Sequence, residues 1–328
     1  MEKEKEEKAG LLPGMSSIAA RLDMAVEAAE VLRGEADVEI AGVRETVRQE
    51  KNITVHVVKV LNEQGASRMG RPKGTYVTCD VPMPHEERTI AAAAGVIGGE
   101  LAALLPPLAG ETLLVVGLGN REAVPDSLGA RVAELTFATR HLFTKEEIQG
   151  LNRVCVVAPG VTGLTGLDAA ESVAALARQI HPVAVVLVDA LAAASISRVG
   201  GSIQMSDTGI RPGGGVGNQR PAINAQTCGC PVVAIGVPTV VDTAAIISGT
   251  LDALGEFWQG RGLCLPALTD EACAFAEERL LQVFGGRLMV TPKDIDQLIA
   301  VDAELLAAAI AIAVHPAAGM DNYHDFIH

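Results

Sequence analysis

Two aspartates stand where chemistry is expected. Asp126 lies in GLGNREAVPDSLG, shortly after the apolar run TLLVVG at Thr112 to Gly117, and Asp189 directly follows VAVVLV at Val183 to Val188. Both runs read as buried strands. A carboxylate at a strand's end, among apolar neighbours, is partly desolvated. Desolvation raises its pKa, and a second carboxylate nearby raises one member of the pair further. Such a pair can share a proton: one member takes a proton from water while the other polarises a carbonyl or protonates a leaving amine. Each aspartate also has a plainer reading. Asp126 precedes SLGARV and Asp189 precedes ALAAASISRV, as helix N-caps would.

Other constellations point to less. The turn Gly117-Leu118-Gly119-Asn120 has Glu122 where a dinucleotide fingerprint needs its third glycine. The sequence holds no P-loop, no HExxH and no G-x-S-x-G elbow. Ser206-Asp207-Thr208-Gly209 contains the letters D-T-G of pepsin-like proteases, but those are all-β proteins and this chain is not, so Asp207 reads as a turn residue. Asp242, after another strand-like run, reads as a helix cap or a site residue. His56 and His141 have no partner at ligand spacing and read as structural or exposed. The six cysteines form no CxxC; Cys228 and Cys230 form a CxC, a weak metal signal, and reduced thiols are expected.

The elements that must position these residues follow from composition and periodicity. The 328 residues are 49% hydrophobic but only 3% aromatic, which suits a core of Val, Ile, Leu and Ala around a buried parallel sheet. Strands are expected at Ile53–Val60, Gly74–Val81, Thr112–Gly117, Arg153–Ala158, Val183–Val188 and Pro231–Val237. Helices are expected at Arg88–Leu105, Asp126–Phe143, Asp168–Ile180, Val240–Leu254, Glu271–Phe284 and Pro292–Val314. This alternation specifies an α/β fold, a doubly wound, mostly parallel sheet with helices on both faces, whose site lies at the carboxyl ends of the strands. The irregular segment from Asp189 to Pro231, with Gly213 to Gly217, is long enough to be functional. The net charge of -14 repels phosphate backbones and argues against nucleic acid as a partner. MEKEKEEK lacks an apolar h-region, so no secretory signal is read, and residues to about Arg21 read as a mobile leader. The most apolar helical stretch, Leu305 to Val314, is too short to span a bilayer. A cytoplasmic protein with no membrane partner is expected.

Several segments resemble one family in order and identity. They are RLDMAVEA from Arg21, GTYVT from Gly74, VVGLGN…PDSLG from Val115 to Gly129, TRHL from Thr139, APGVTGLTGL from Ala158 and VDALAA from Val188. IQMSDTGIRPGGGVGN from Ile203, AIGVPTVVD from Ala234 and LMVTPKDID from Leu288 complete the set. Together they resemble the germination protease of endospore-forming bacteria. That resemblance implies an atypical aspartic endopeptidase, related in fold to the hydrogenase-maturation proteases, that degrades small acid-soluble spore proteins in the spore core. It implies a homotetrameric zymogen that removes its own leader, with no cofactor and no metal. The family's two proposed catalytic aspartates match Asp126 and Asp189. Its processing motif matches Arg21-Leu22-Asp23-Met24, so a cut between Asp23 and Met24 is expected, with residues 1–23 as propeptide and 24–328 as one α/β peptidase domain. Gly119, Asn120, Asp207, Gly214 and Asp242 are expected near the substrate, and Arg140, Arg198 or Lys293 as the cation facing an acidic side chain. Residues 255–284 match the family poorly. A metal-assisted peptidase at the same site and a non-catalytic spore-protein-binding module are the alternatives.

Overall fold

The apolar runs pair edge to edge into a 9-stranded sheet in the computed structural model, which describes residues 22–34, 39–82, 87–143, 148, 150–211, 221–261, 275, 278–279, 282 and 288–315. The strands are β1 (Val43–Glu50), β2 (Ile53–Val60), β3 (Gly74–Asp80), β4 (Thr112–Gly117), β5 (Arg153–Val157), β6 (Ala184–Ala193), β7 (Ser202–Ser206), β8 (Val232–Asp242) and β9 (Met289–Val290). Their order is β1-β2-β3-β7-β8-β6-β4-β5, with β9 on the far end of β8. The leader to Arg21, the Gly213 to Gly217 loop with Gly214, and the helix expected at Glu271–Phe284, apart from isolated residues, lie outside the described residues.

The parallel sheet expected from the sequence is confined to β5-β4-β6-β8; all other pairs are antiparallel, so the sheet is mixed. The reason is local. β1 and β2 are joined by Lys51-Asn52, both at positive φ (49° and 67°), a tight hairpin turn that returns the chain beside itself. β1 itself, VRETVRQE, is a charged and largely exposed edge strand with no apolar alternation to announce it.

The helices are α1 (Ala25–Arg33), α2 (Glu63–Met69), α3 (Glu87–Leu104), α4 (Leu128–Leu135), α5 (Ala169–Ile180), α6 (Thr243–Gln259) and α7 (Ile295–Val314). One sheet face is covered by α3, α4 and α7, through Val115, Val186, Val188 and Ile235. On the other, α5 covers the parallel half through Leu114, Val116 and Leu187, while α1 and α2 cover β2 and β3 through Val58, Val60 and Tyr76. The helix expected at Asp126–Phe143 stops at Leu135, because the chain turns back to β5: Thr139 Oγ1 donates to Asn152 O and accepts from Val154 N. β8 runs on to Asp242, extended by its pairing with β9, so α6 starts three residues later than expected. α7 is 20 residues with a mean hydropathy of 2.0, long and apolar enough to cross a membrane. It is instead the central core helix, 61% buried in that window and packed against α3.

α1 is fastened to the sheet by charge. Arg198 reaches Glu30 at 2.5 Å, Asp80 at 3.2 Å and Glu27 at 3.7 Å. Asp80 also accepts from Ser202 and faces His56 Nε2 at 3.3 Å. Burial disfavours its charge, but His56, Ser202 and Arg198 outweigh that and hold its carboxyl below the usual range. Glu27 accepts N–H groups of Ala194 (2.9 Å) and Ser195 (3.2 Å). Burial is the stronger influence there and pushes its carboxyl up to about 7, against those N–H groups and Arg198.

Two predictions follow from this architecture. A Cβ on Gly129 falls 2.3 Å from Leu118 O and 2.4 Å from Val188 O, so Gly129→Ala forces α4 off the ends of β4 and β6. The expected cost is about 2–3 kcal/mol, read as a lower urea midpoint. The folded state retains the Glu27 proton to about pH 7, whereas the unfolded chain loses it near 4.5. Glu27 therefore stabilises most below pH 4.5, and that contribution is lost as pH rises through 7. Urea unfolding of wild type against Glu27→Gln between pH 4.5 and 8 should show wild type losing ground over that window, and a pH-independent difference would contradict it.

Candidate active site

β4 and β6 run side by side until Gly117 meets Val188, and the ladder gains one further rung, Leu118 N–H to Val188 O at 2.8 Å. Asp189 is the next residue of β6. The chain beyond Leu118 turns at Gly119, whose φ of +98° and close approach (an added Cβ falls 2.1 Å from Asp126 O) exclude a side chain. Asn120 N–H then donates to Asp126 Oδ2 at 2.7 Å. Asp126 is thus tied to the turn Leu118–Asn120 after β4, and Asp189 follows directly on the last rung between β4 and β6.

Neither aspartate caps a helix. Asp126 ends the short 3-10 turn Val124–Asp126, and the N-cap position of α4 is Ser127. β6 continues through Asp189 to Ala193, so the expected strand end at Val188 is only the end of its pairing with β4. Asp189 is 6% exposed and its Oδ1 accepts the N–H of Ala190 at 3.0 Å. The turn carrying Asp126 is held from β8, where Thr239 Oγ1 donates to Pro125 O at 2.6 Å. Thr239 is the extra residue of a bulge: Leu191 pairs with Pro238 and Ala192 with Val240. Bulges re-aim side chains in this way beside functional sites.

The expected processing segment lies against the same strand. Ala192 N–H donates to Asp23 Oδ2 at 2.9 Å, and Met24, fully buried, packs with Leu191, Val26 and Ile210. Met24 is extended, with φ -95° and ψ 131°. Gln204 on β7 donates to Asp23 O at 3.1 Å and accepts from Ala25 N at 2.5 Å. Gln204 and Asp189 both register with Gly236 of β8, so they share one row and one face of the sheet across two strand spacings. Arg71 donates to Leu22 O. Burial lowers its pKa, while Tyr76, Asp23 and Glu27 counter that.

The other sequence candidates divide. Gly119 and Asn120 form the turn beside Asp126, and the Asn120 and Leu118 N–H groups are spent on Asp126 and Val188. Arg140 is exposed in the turn after α4, beside the start of β5 and hence at the opposite end of the parallel strands. Arg198 is engaged with Glu27, Glu30 and Asp80, and Lys293 is exposed before α7. The cation beside Asp23 is Arg71. Asp207 is a turn residue whose Oδ1 accepts Thr75 N–H at 2.8 Å, at the far end of β7. Asp242 ends β8, six residues and about 20 Å along the strand from Gly236. Gln204, Arg71 and Thr239 escaped the sequence reading. The available signal was polarity inside apolar strands, in SIQMS and VVAIGVPTVVD. Cys79, Cys155, Cys228 and Cys230 are free thiols, and among the described residues no three His, Cys, Asp or Glu side chains gather as a metal site.

Similarity to known proteins shows the family. The family model described as Germination protease matches residues 18–264. The germination protease of Clostridium acetobutylicum is 36% identical over 322 residues, covering 94% of this chain and 98% of that protein. That of Caldanaerobacter subterraneus is 36% identical over 325 residues (94% and 98%), and that of Priestia megaterium 32% identical over 365 residues (96% and 98%). The chain therefore belongs to the germination protease family and is a peptidase.

Proposed function

We propose that this peptidase is an aspartic-type endopeptidase of spore germination, made as a precursor that cuts its own Asp23–Met24 bond and then degrades small acid-soluble spore proteins in the spore core. The observation that supports this best is the seating of that bond. It lies against the sheet face that carries Asp189, with Met24 extended and Asp23 held by Ala192, three residues along the same strand. The reading takes the parallel β5-β4-β6-β8 unit as kin to the hydrogenase-maturation proteases and the working unit as a homotetramer.

In this mechanism one of the two carboxylates removes a proton from water, whose oxygen attacks the Asp23 carbonyl carbon. The other carboxylic acid gives its proton to the Met24 nitrogen as the carbon–nitrogen bond breaks. The mechanism needs the two groups on either side of the reacting bond, and the Asn120 N–H that binds Asp126 supports its half of that arrangement. The acidic side chain before the cut meets the Ala192 N–H and the positive field of Arg71, since a buried carboxylate without such partners is costly. The same recognition serves an acidic–hydrophobic pair in a spore protein.

Intact mass of the purified precursor, followed for hours at mildly acidic pH, tests the reading. The wild type is expected to lose residues 1–23. Asp126→Asn and Asp189→Asn are each expected to slow that step by at least ~10²-fold. Variants that process as fast as wild type would remove the two carboxylates from the mechanism.

A further inference from the structure

We infer that Gln204 is a catalytic residue: its side-chain amide grips the reacting peptide on both sides of the scissile bond and donates a hydrogen bond to the carbonyl oxygen that becomes negative during attack. This rests on the reading that Asp23–Met24 is the bond cut. Gln204 sits between Ile203 and Met205, both fully buried and facing the opposite side of the sheet. A polar amide in such a strand costs stability unless its donor and acceptor are matched. Here both are matched by backbone of the processing segment. Ala25 N–H can only donate, so it fixes Oε1, at 2.5 Å; the Asp23 carbonyl can only accept, so it receives Nε2, at 3.1 Å. The amide orientation is therefore set by the peptide itself. The Asp23 carbonyl belongs to the bond to Met24, and Ala25 is the second residue after it.

The row across the sheet explains why Gln204 and not a neighbour does this. Asp189, Gly236 and Gln204 are in register on β6, β8 and β7. Gly236 has no side chain of its own, and the Leu191 side chain lies over it; a Cβ there would fall 2.5 Å from Leu191. Met24 packs on that Leu191 side chain, in the row that has the Asp189 carboxylate on one strand and the Gln204 carboxamide on another. When water adds to the Asp23 carbonyl carbon, the oxygen gains negative charge. The Gln204 N–H stabilises that charge without transferring its proton, as a neutral side-chain donor does in an oxyanion hole. The charge is relieved when the C–N bond breaks and Met24 N takes its proton from the carboxylic acid.

The test uses the full-length precursor and the first-order rate at which residues 1–23 are lost. Gln204→Ala is expected to slow the step by ~10²-fold, the usual effect of deleting one such donor. Gln204→Glu keeps the acceptor for Ala25 N–H but removes the donor to Asp23 O, and is expected to slow it by a similar factor. A second pair of variants separates catalysis from scaffolding. Ala25→Pro deletes the Ala25 N–H at the first position of α1, where proline is tolerated. It should slow processing in wild type, and its effect should be much smaller in the Gln204→Ala background, which has already lost that contact. Urea midpoints check that each variant is folded, and Gln204→Glu, of the same size, serves if Gln204→Ala does not fold. Wild-type cleavage at 23–24, blocked by Asp189→Asn but unchanged in both Gln204 variants, overturns this inference alone. Additive effects of Ala25→Pro and Gln204→Ala overturn the two-sided grip. A wild-type precursor that stays intact, or is cut elsewhere, overturns the parent reading and this one with it.

Discussion

The hydrogen bond from Leu118 N–H to Val188 O decides the geometry of the site. It extends the pairing of β4 and β6 by one rung beyond the last strand residue of β4. Without it the chain would leave the sheet at Gly117, and the segment to Asp126 would have no fixed relation to Asp189. With it, Gly119 and Asn120 are placed for Asp126 to clasp. Gly129 at the start of α4 leaves room for both carbonyls of that rung. Thr239 on the next strand then holds the Asp126 turn from the other side. The position of one carboxylate is set by its strand, and that of the other by a network built on its neighbour.

The two halves of the sheet divide the work. The parallel half supplies both aspartates, Asp189 just past the last rung between β4 and β6 and Asp126 from the turn that follows β4. The antiparallel half supplies the grip: Gln204 on β7, Arg71 just after α2, and the charge network from β2 and β3 through Arg198 to α1. Neither half alone holds the 22–27 segment. This is a physical reason for a mixed sheet, because antiparallel β3 and β7 bring side chains from the middle of strands up to a site made from strand ends.

Much of this was legible in the sequence. The apolar runs of β2 and β4 are read at their true limits, because a buried strand has a clean signal. Asp126 and Asp189 stand out as carboxylates against such runs. What escaped reading had physical causes. β1 is exposed on both faces and resembles a loop in composition. The bulge at Thr239 and the continuation of β6 past Asp189 depend on pairing, which is set by partners far away in the chain. Arg71 follows the glycine that ends α2 and looks like any surface arginine; only the fold buries it. The cations chosen from sequence lie elsewhere in the fold for the same reason, Arg140 at the opposite end of the parallel strands and Arg198 among three carboxylates.

The latch of Arg198 on α1 has a consequence for the proposed cut after Asp23. A cut after Asp23 leaves Met24 joined to a helix still pinned through Glu27 and Glu30. The new N-terminus is then a tethered product, resident at an effective concentration of order millimolar without any free ligand. Under that proposal any other chain must displace it before it can lie against β6 and β7. In that scheme turnover on other chains is coupled to how often α1 unlatches, which depends on the ion pairs of Arg198 rather than on the chemistry of the peptide bond.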